Sequence, residues 1–303
     1  MPIHHYAPTH YHLTFGPHEP VLRIAEGDTV VTTTVDARGR DAHDAQVAGR
    51  PNPLTGPFYV EHAEPGDTLV LYLDHLYPNR DMGYTATTVA ANVVEPGFVR
   101  HMPERESVDW HIDRQAGIAR LAQPAAALEK LRLRLSPLLG CLGVAPRDSQ
   151  AIGSMTSAEH GGNMDYRGFI AGATVYLPVF EPGGLIFVGD GHAVQGDGEI
   201  NGTGIEVSFD VRFTVGLLKG KSIGWPRGEN QDYIFTVGNA RPLDQAAQHA
   251  TTEMLRWLEE EYGLDARSAG ILLGQCVEYD LGNMYDPAYT MVCKVPKRVL
   301  ASL

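Results

Sequence analysis

Apolar residues along this chain come in short runs separated by turns rich in glycine and proline. Alternation is clearest at residues 205–215, where Val207, Phe209, Val211, Phe213 and Val215 fall on one side. A period of two predicts a half-buried strand. Residues 174–177 and 185–188 read as further strands. The first half shows an echo. A run at 21–24, the turn Glu26-Gly27-Asp28 and a run at 29–35 are followed by 58–60, Glu64-Pro65-Gly66-Asp67 and 68–73. Glycine and proline supply the turn dihedrals, and the β-branched flanks suit a pleated surface. Two similar hairpins, at 20–36 and 56–74, are expected from this echo.

The period changes late in the chain. Leu243, Ala247, Ala250, Met254 and Leu258 recur at helical steps, predicting a helix over 243–261 stopped by Gly263. Asp265 can cap a second helix through about Leu273, and 289–295 returns to strand. Residues 125–135 (AAALEKLRLRL) fit a helix or a strand equally. The expected class is α+β and β-dominated, a β-sandwich or barrel-like fold with a C-terminal helical hairpin. No low-complexity linker divides the chain, so residues 1–303 are expected to form a single domain.

A chain of 303 residues, 43% hydrophobic, can bury a large core. Its net charge of -13 argues against a nucleic-acid partner. The apolar runs are too short for a membrane span, and the start of the chain lacks a secretory core. Cys141, Cys276 and Cys293 have no paired spacing, which predicts buried, reduced thiols and a cytoplasmic protein.

The densest chemistry lies at 188–206, VGDGHAVQGDGEINGTGIE, which gathers Asp190, His192, Asp197, Glu199 and Glu206. Carboxylates this crowded repel one another unless a cation or shared protons compensate them. The acids would repel phosphate, and the spacing does not keep a calcium-loop register. An imidazole among carboxylates favours a transition metal. A second constellation, His160-Gly161-Gly162-Asn163-Met164-Asp165, joins imidazole, amide and carboxylate. The amides of Gly161 and Gly162 could face a developing oxyanion. Glu61 ends an apolar strand and could project inward as a base, although strand-end glutamates are commonly solvated. Asp36 carries the same ambiguity. Histidines 4, 5, 10, 12 and 18 are irregularly spaced and read as surface residues.

Taken together, these motifs resemble the acetamidase/formamidase family over nearly the whole chain. The resemblance runs from Gly16-Pro17-His18-Glu19-Pro20-Val21-Leu22 and Gly27-Asp28-Thr29 to Asp36-Ala37. It continues through Gly56-Pro57-Phe58-Tyr59-Val60-Glu61 and Ala63-Glu64-Pro65-Gly66-Asp67. Residues 160–165 and 189–206 carry its most specific parts, the closing helices from 243 to about 275 also match, and the length is similar to the shorter, acetamidase-like branch. A related motif often has cysteine where this chain has Met164, which disfavours thiol chemistry. Neither a Ser-Ser-Lys nor a Glu-Lys-Cys set, as in other amidases, is found. Residues 278–286 depart from the family pattern.

The resemblance implies hydrolysis of short aliphatic amides such as acetamide and formamide to carboxylate and ammonia. It also implies a β-rich fold, a homo-oligomer and a divalent metal that activates water, zinc first, with manganese or iron as alternatives. On that basis Asp36, Asp190 and His192 are the expected ligands. Glu61 is the expected base and Asp165 a second candidate for base or ligand. Asn163 and the Gly161 and Gly162 amides are the expected oxyanion donors, and His160 is counted with the catalytic set. Asp197, Glu199 and Glu206 would orient His192 and its neighbours. Two other readings stay open: a metal hydrolase of a cyclic or larger amide or imide, and a binding protein whose acids hold a structural ion.

Overall fold

The computed structural model describes residues 2–303. Its assembly is clearest at the two Gly-Asp turns. Gly27 (φ 86°) and Gly66 (φ 95°) take left-handed conformations that a side chain would strain. The aspartate that follows closes each turn: Asp28 N–H donates to the Ala25 carbonyl and Asp67 N–H to the Glu64 carbonyl, both at 3.0 Å. Their carboxylates accept from the Ala25 and Glu64 N–H groups at 3.0 and 2.8 Å. The echo is thus the same local solution used twice.

The runs flanking each turn do not form the expected hairpins. Leu22–Ile24 lies parallel to Leu54–Val60 in a six-stranded sheet. Thr29–Thr33 and Thr68–Pro78 instead flank Phe209–Leu218 in a nine-stranded sheet. Each turn is therefore a crossover between sheets. The physical reason is burial: Ile24, Phe58 and Val60 face Val30, Leu69 and Leu71 across one core, which side-by-side pairing would not achieve.

The nine-stranded sheet runs Ile3–His5, Thr29–Thr33, Phe209–Leu218, Thr68–Pro78, Thr174–Pro178, Arg227–Glu229, Tyr233–Ala240, Tyr289–Pro296, Glu278–Leu281. The six-stranded sheet runs Ser157–Ala158, Gly161–Asn163, Leu138–Gly143, Ile186–His192, Leu54–Val60, Leu22–Ile24. Their facing side chains form a sandwich, not a closed barrel. A four-stranded sheet runs Leu133–Arg134, Ile118–Leu121, Ser107–Asp113, Met82–Ala86. Its last strand meets the six-stranded sheet through Glu206, which bridges to Tyr84 on one side and His192 on the other.

The expected helical hairpin is present. Helix α1 (Leu243–Tyr262) buries Ala246, Ala250, Met254, Trp257 and Leu258 and packs on Tyr233–Ala240 and Tyr289–Pro296. Gly263 ends it in the left-handed region. Asp265 caps α2 (Ala266–Cys276) by accepting from the Ser268 N–H at 2.7 Å, and that helix runs three residues past its expected end. A final turn, α3, spans Lys297–Leu300. Residues 125–135 settle on neither option, giving a 3-10 turn at Ala126–Leu128 and the short strand Leu133–Arg134.

Two strand boundaries moved, and both matter to the site. The strand expected at 185–188 runs on as Ile186–His192, so the start of the glycine block is buried strand. Glycine is needed there because a Cβ on Gly191 would lie 2.6 Å from Phe209 Cγ. The strand expected from 205 becomes regular only at Phe209, because Glu206 is engaged at the seam between sheets. All three cysteines are free; Cys141 and Cys293 are buried, whereas Cys276 is only half-buried, against expectation. Among the described residues no helix is long and apolar enough to cross a membrane.

Candidate active site and metal centre

Residues directly opposite in adjacent strands project to the same face. The bridges through Glu206 therefore line up the side chains of Tyr84, Glu206 and His192. The His192 imidazole is fully buried, with Nδ1 2.8 Å from Gln195 Oε1. The Gln195 amide nitrogen donates to the carbonyls of Asp165 (2.6 Å) and Gly282 (3.1 Å), so its oxygen is the atom turned toward the ring. Nδ1 consequently carries the proton in that contact, and Nε2 is left facing the acids. Nε2 lies 3.0 Å from Glu206 Oε1 and 3.5 Å from Asp190 Oδ2, neither aligned as a hydrogen bond.

His192 is shared by two groups, one with Asp165 and Glu199 and the other with Asp190 and Glu206. In each group the potential ligand atoms lie within 4.8 Å of one another. Amides brace them: Asn52 Nδ2 donates to Asp190 Oδ2 (3.2 Å) and Asn283 Nδ2 to Asp165 Oδ2 (3.0 Å). Asn163 Nδ2 donates to Asp286 Oδ2, and its Oδ1 accepts from the Cys141 thiol at 3.0 Å. What remains is unpaired. Asp165 Oδ1, Asp190 Oδ1, Glu206 Oε2, Asn283 Oδ1 and His192 Nε2 are buried without a hydrogen-bond partner among the described residues. Each such atom costs on the order of 1–3 kcal/mol.

The electrostatics follow from the same crowding. Burial, then Asp190 and Asp286, drives the Asp165 carboxyl well above its usual range. Burial, then Asp165 and Asp286, does the same to Glu199. Burial raises Glu206 to about 8, opposed by His192 and helped by Asp190. Burial and Asp190 bring Asp286 to about 7. Burial works against charge on His192, yet Glu206 and Asp190 raise it well above an ordinary imidazole. Burial, then Asp190, Asp165 and Asp286, raises the Cys141 thiol, which keeps it from being a thiolate nucleophile. Protons can compensate this cluster, and so can a cation. A ring nitrogen among carboxylate oxygens is a donor set that fits a divalent transition metal.

The acetamidase/formamidase family model matches residues 10–156 and 147–299. The chain belongs to that family. Among curated relatives it is 28% identical over 215 residues to a formamidase of Methylophilus methylotrophus, covering 55% of this chain and 51% of the relative. It is 27% identical over 240 residues to an acetamidase of Mycolicibacterium smegmatis, covering 63% and 59%. The chain thus spans between half and two thirds of the length of the curated relatives it matches. Its structure superimposes on an acetamidase from Yersinia enterocolitica with a TM-score of 0.86 and 32% identity, covering 98% of this chain and 93% of the other. An acetamidase from Bacillus halodurans gives 0.84 and 27%, covering 99% of each. A γ-lactamase from Delftia acidovorans shares the fold at a TM-score of 0.62 and 20% identity.

Against this acetamidase/formamidase framework the expected site residues divide. Asp165, Asp190 and His192 come together, and Glu199 and Glu206, expected only to orient His192, lie as close to the centre as the others. Asn163 is buried at the edge of the cluster. Asp36 is fully buried but engaged elsewhere: it accepts from the Arg38 and Arg40 N–H groups at 2.9 and 3.0 Å and pairs with the Arg80 guanidinium. It closes a turn and lies outside both groups.

Glu61 is half-exposed and ion-paired to Arg23 at 2.8 Å. The strand Leu54–Val60 pairs with Gly189 at its Leu54 end, so Glu61 emerges about 20 Å away at the rise of an extended chain. Asp197 is exposed and held by Arg167 at 2.6 Å. His160 is buried against Phe15 with both ring nitrogens unpaired, and burial lowers it to about 4. It is outside the groups around His192. Gly161 and Gly162 lie on a strand paired on both sides, where ladder partners compete for their amides.

Sequence reasoning missed Asn52, Gln195, Asn283, Asp286 and Tyr84. Gln195 had a signal, lying three residues after His192 in the glycine block. Asn283 and Asp286 fall in the segment 278–286 that departs from the family pattern.

Proposed function

We propose that this protein hydrolyses short aliphatic amides, acetamide and formamide among them, to carboxylate and ammonia, using a divalent cation at the acid cluster. The observation that carries this reading is the convergence of unpaired buried acceptors on His192 Nε2. His192 would hold the cation through Nε2, with Asp190 and Glu206 on one side and Asp165 and Glu199 on the other. Gln195 fixes the ring's tautomer and orientation, the usual task of a partner behind a ligating histidine. Such a cation supplies Lewis acidity to the amide carbonyl and makes a water more acidic.

Amide hydrolysis also needs a proton taken from water and one delivered to the departing nitrogen. Asp286 suits that relay: its carboxyl lies near neutrality and it stands beside the two ligand groups, held by Asn163. It replaces Glu61 in this reading. Zinc is the first candidate metal, with manganese and iron next, and the same reading makes the protein a cytoplasmic homo-oligomer.

The test is ammonia release from formamide, acetamide and propionamide, and ring-opening of a γ-lactam to its amino acid, by the protein as purified, after chelation, and after zinc or manganese is returned. Turnover of linear amides, lost on chelation and restored by one metal, is the expected result. Turnover indifferent to chelation refutes the metal assignment. Turnover of the lactam alone refutes the substrate class.

A further inference from the structure

Tyr84 belongs to the same seam and has no part in the reaction as described so far. It bridges to Glu206, which in turn bridges to His192, so the three side chains stand in a row on one face. Tyr84 is 7% exposed, yet its hydroxyl makes no hydrogen bond to a described residue. The ring is clamped, with the Arg38 guanidinium 3.6 Å from its centroid and Arg38 itself tied to Ser107 Oγ at 3.0 Å. The backbone is clamped too, by reciprocal hydrogen bonds with Glu206 at 2.9 and 3.2 Å.

On its other side Tyr84 pairs with Asp109, which is exposed. A cavity of about 300 Å³ there is lined by Arg38, Arg40, Arg80, Tyr84 and Asp109 among others.

The centre is rich in unpaired oxygens, and its neutral amides are already engaged. Asp165 Oδ1, Asp190 Oδ1, Glu206 Oε2 and Asn283 Oδ1 are unpaired acceptors that suit an amide's N–H groups. The side-chain amides of Asn52, Asn163, Asn283 and Gln195 already donate to protein acceptors. Beside the cation, Tyr84 in the same row adds a neutral O–H still free to donate to a carbonyl oxygen arriving at the site. A phenol keeps its proton at neutral pH, so this hydroxyl can donate.

We propose that Tyr84 is a catalytic residue whose phenolic O–H donates to the substrate's carbonyl oxygen as negative charge develops there. This rests on the amidase reading. Donors aimed at a developing oxyanion are worth about 100-fold or more in kcat.

The test compares the parent protein with Tyr84→Phe, which removes one oxygen and leaves the ring under Arg38. Turnover of acetamide, metal content, melting temperature and the ultraviolet difference spectrum on adding acetate are measured for both. The expected result is a kcat about 100-fold lower with metal content and melting unchanged. A tyrosine signal induced by acetate in the parent is expected to vanish in the variant. Parent-like kcat in the variant overturns the proposal. So does loss of metal in step with kcat, because the hydroxyl would then support the ligands and not the substrate. If the parent releases no ammonia from any amide, the amidase reading fails on its own evidence. The acetate spectrum then still decides whether the Tyr84 hydroxyl meets a carbonyl-type oxygen, and no tyrosine signal overturns the proposal.

Discussion

Stripped of divalent cations, the protein is expected to lose stability as the pH rises from about 4.5 to about 8. An unfolded glutamate ionises near 4.5, whereas Glu206 in the folded protein holds its proton up to about 8. Asp286 likewise holds its proton up to about 7, against 3.8 for an ordinary aspartate. Between those limits unfolding releases protons, so each step up in pH favours the unfolded chain. At 1.36 kcal/mol per pH unit, either carboxyl alone represents about 4–5 kcal/mol. Both are raised first by burial and titrate within one interacting cluster around Asp190, so the two contributions do not simply add and a total of at least about 5 kcal/mol is expected. That is a large share of a typical domain's stability of about 5–15 kcal/mol. Thermal melts of chelated protein from pH 5 to pH 8 should therefore show a fall of about 10 °C. Zinc-loaded protein is expected to show a much smaller fall, since a cation satisfies the carboxylates that protons satisfy at low pH. A chelated protein whose melting temperature stays flat or rises over that interval would refute the claim that these acids are buried and uncompensated.

Two substitutions separate the site from its surroundings. A Cβ on Gly140 would lie 2.6 Å from Asp190 Oδ2 and closer still to Asp165 Oδ1, so Gly140→Ala is expected to push the two carboxylates apart. Metal binding, measured by titration calorimetry, should weaken about tenfold or more; unchanged affinity would mean that Asp165 and Asp190 do not share an ion. Glu61→Gln loses only a half-exposed ion pair with Arg23, and its turnover and melting temperature are expected to match the parent. A large fall in kcat would restore Glu61 as the base.

The fold was legible where one local rule decided the outcome. Gly263 and Asp265 mark the end of α1 and the start of α2 by backbone chemistry that operates within a few residues. The Gly-Asp turns were visible for the same reason. Their long-range meaning was not: whether a turn joins paired strands or carries the chain across to a facing sheet depends on which partners bury the flanking runs. For Thr29–Thr33 that partner is Phe209–Leu218, some 180 residues away. Residues 125–135 were ambiguous because the helical and extended patterns overlap there, and the chain takes up neither for long.

The site was legible in its residue types and much less so in its roles. Asp190 and His192 stood out because glycines and acids had accumulated around them, and the strand Ile186–His192 does bring both to the centre. Asp36 and Asp197 have the same chemistry but opposite fates, because an arginine reaches each: Arg80 neutralises the first and Arg167 the second. A buried carboxylate with such a partner has no need of a metal, whereas Glu206 has His192 and the Gly204 N–H, and Asp165 only the neutral amide of Asn283. Which acids remain uncompensated is thus decided by where the arginines fall in three dimensions. The centre forms where the six-stranded sheet meets Met82–Ala86, at a seam where, among the described residues, no lysine or arginine pairs with Glu206. The charge that would fill that role in any other buried acid pair must come from outside the chain, as protons or as an ion. That requirement turns an otherwise costly cluster of carboxylates into a site for chemistry.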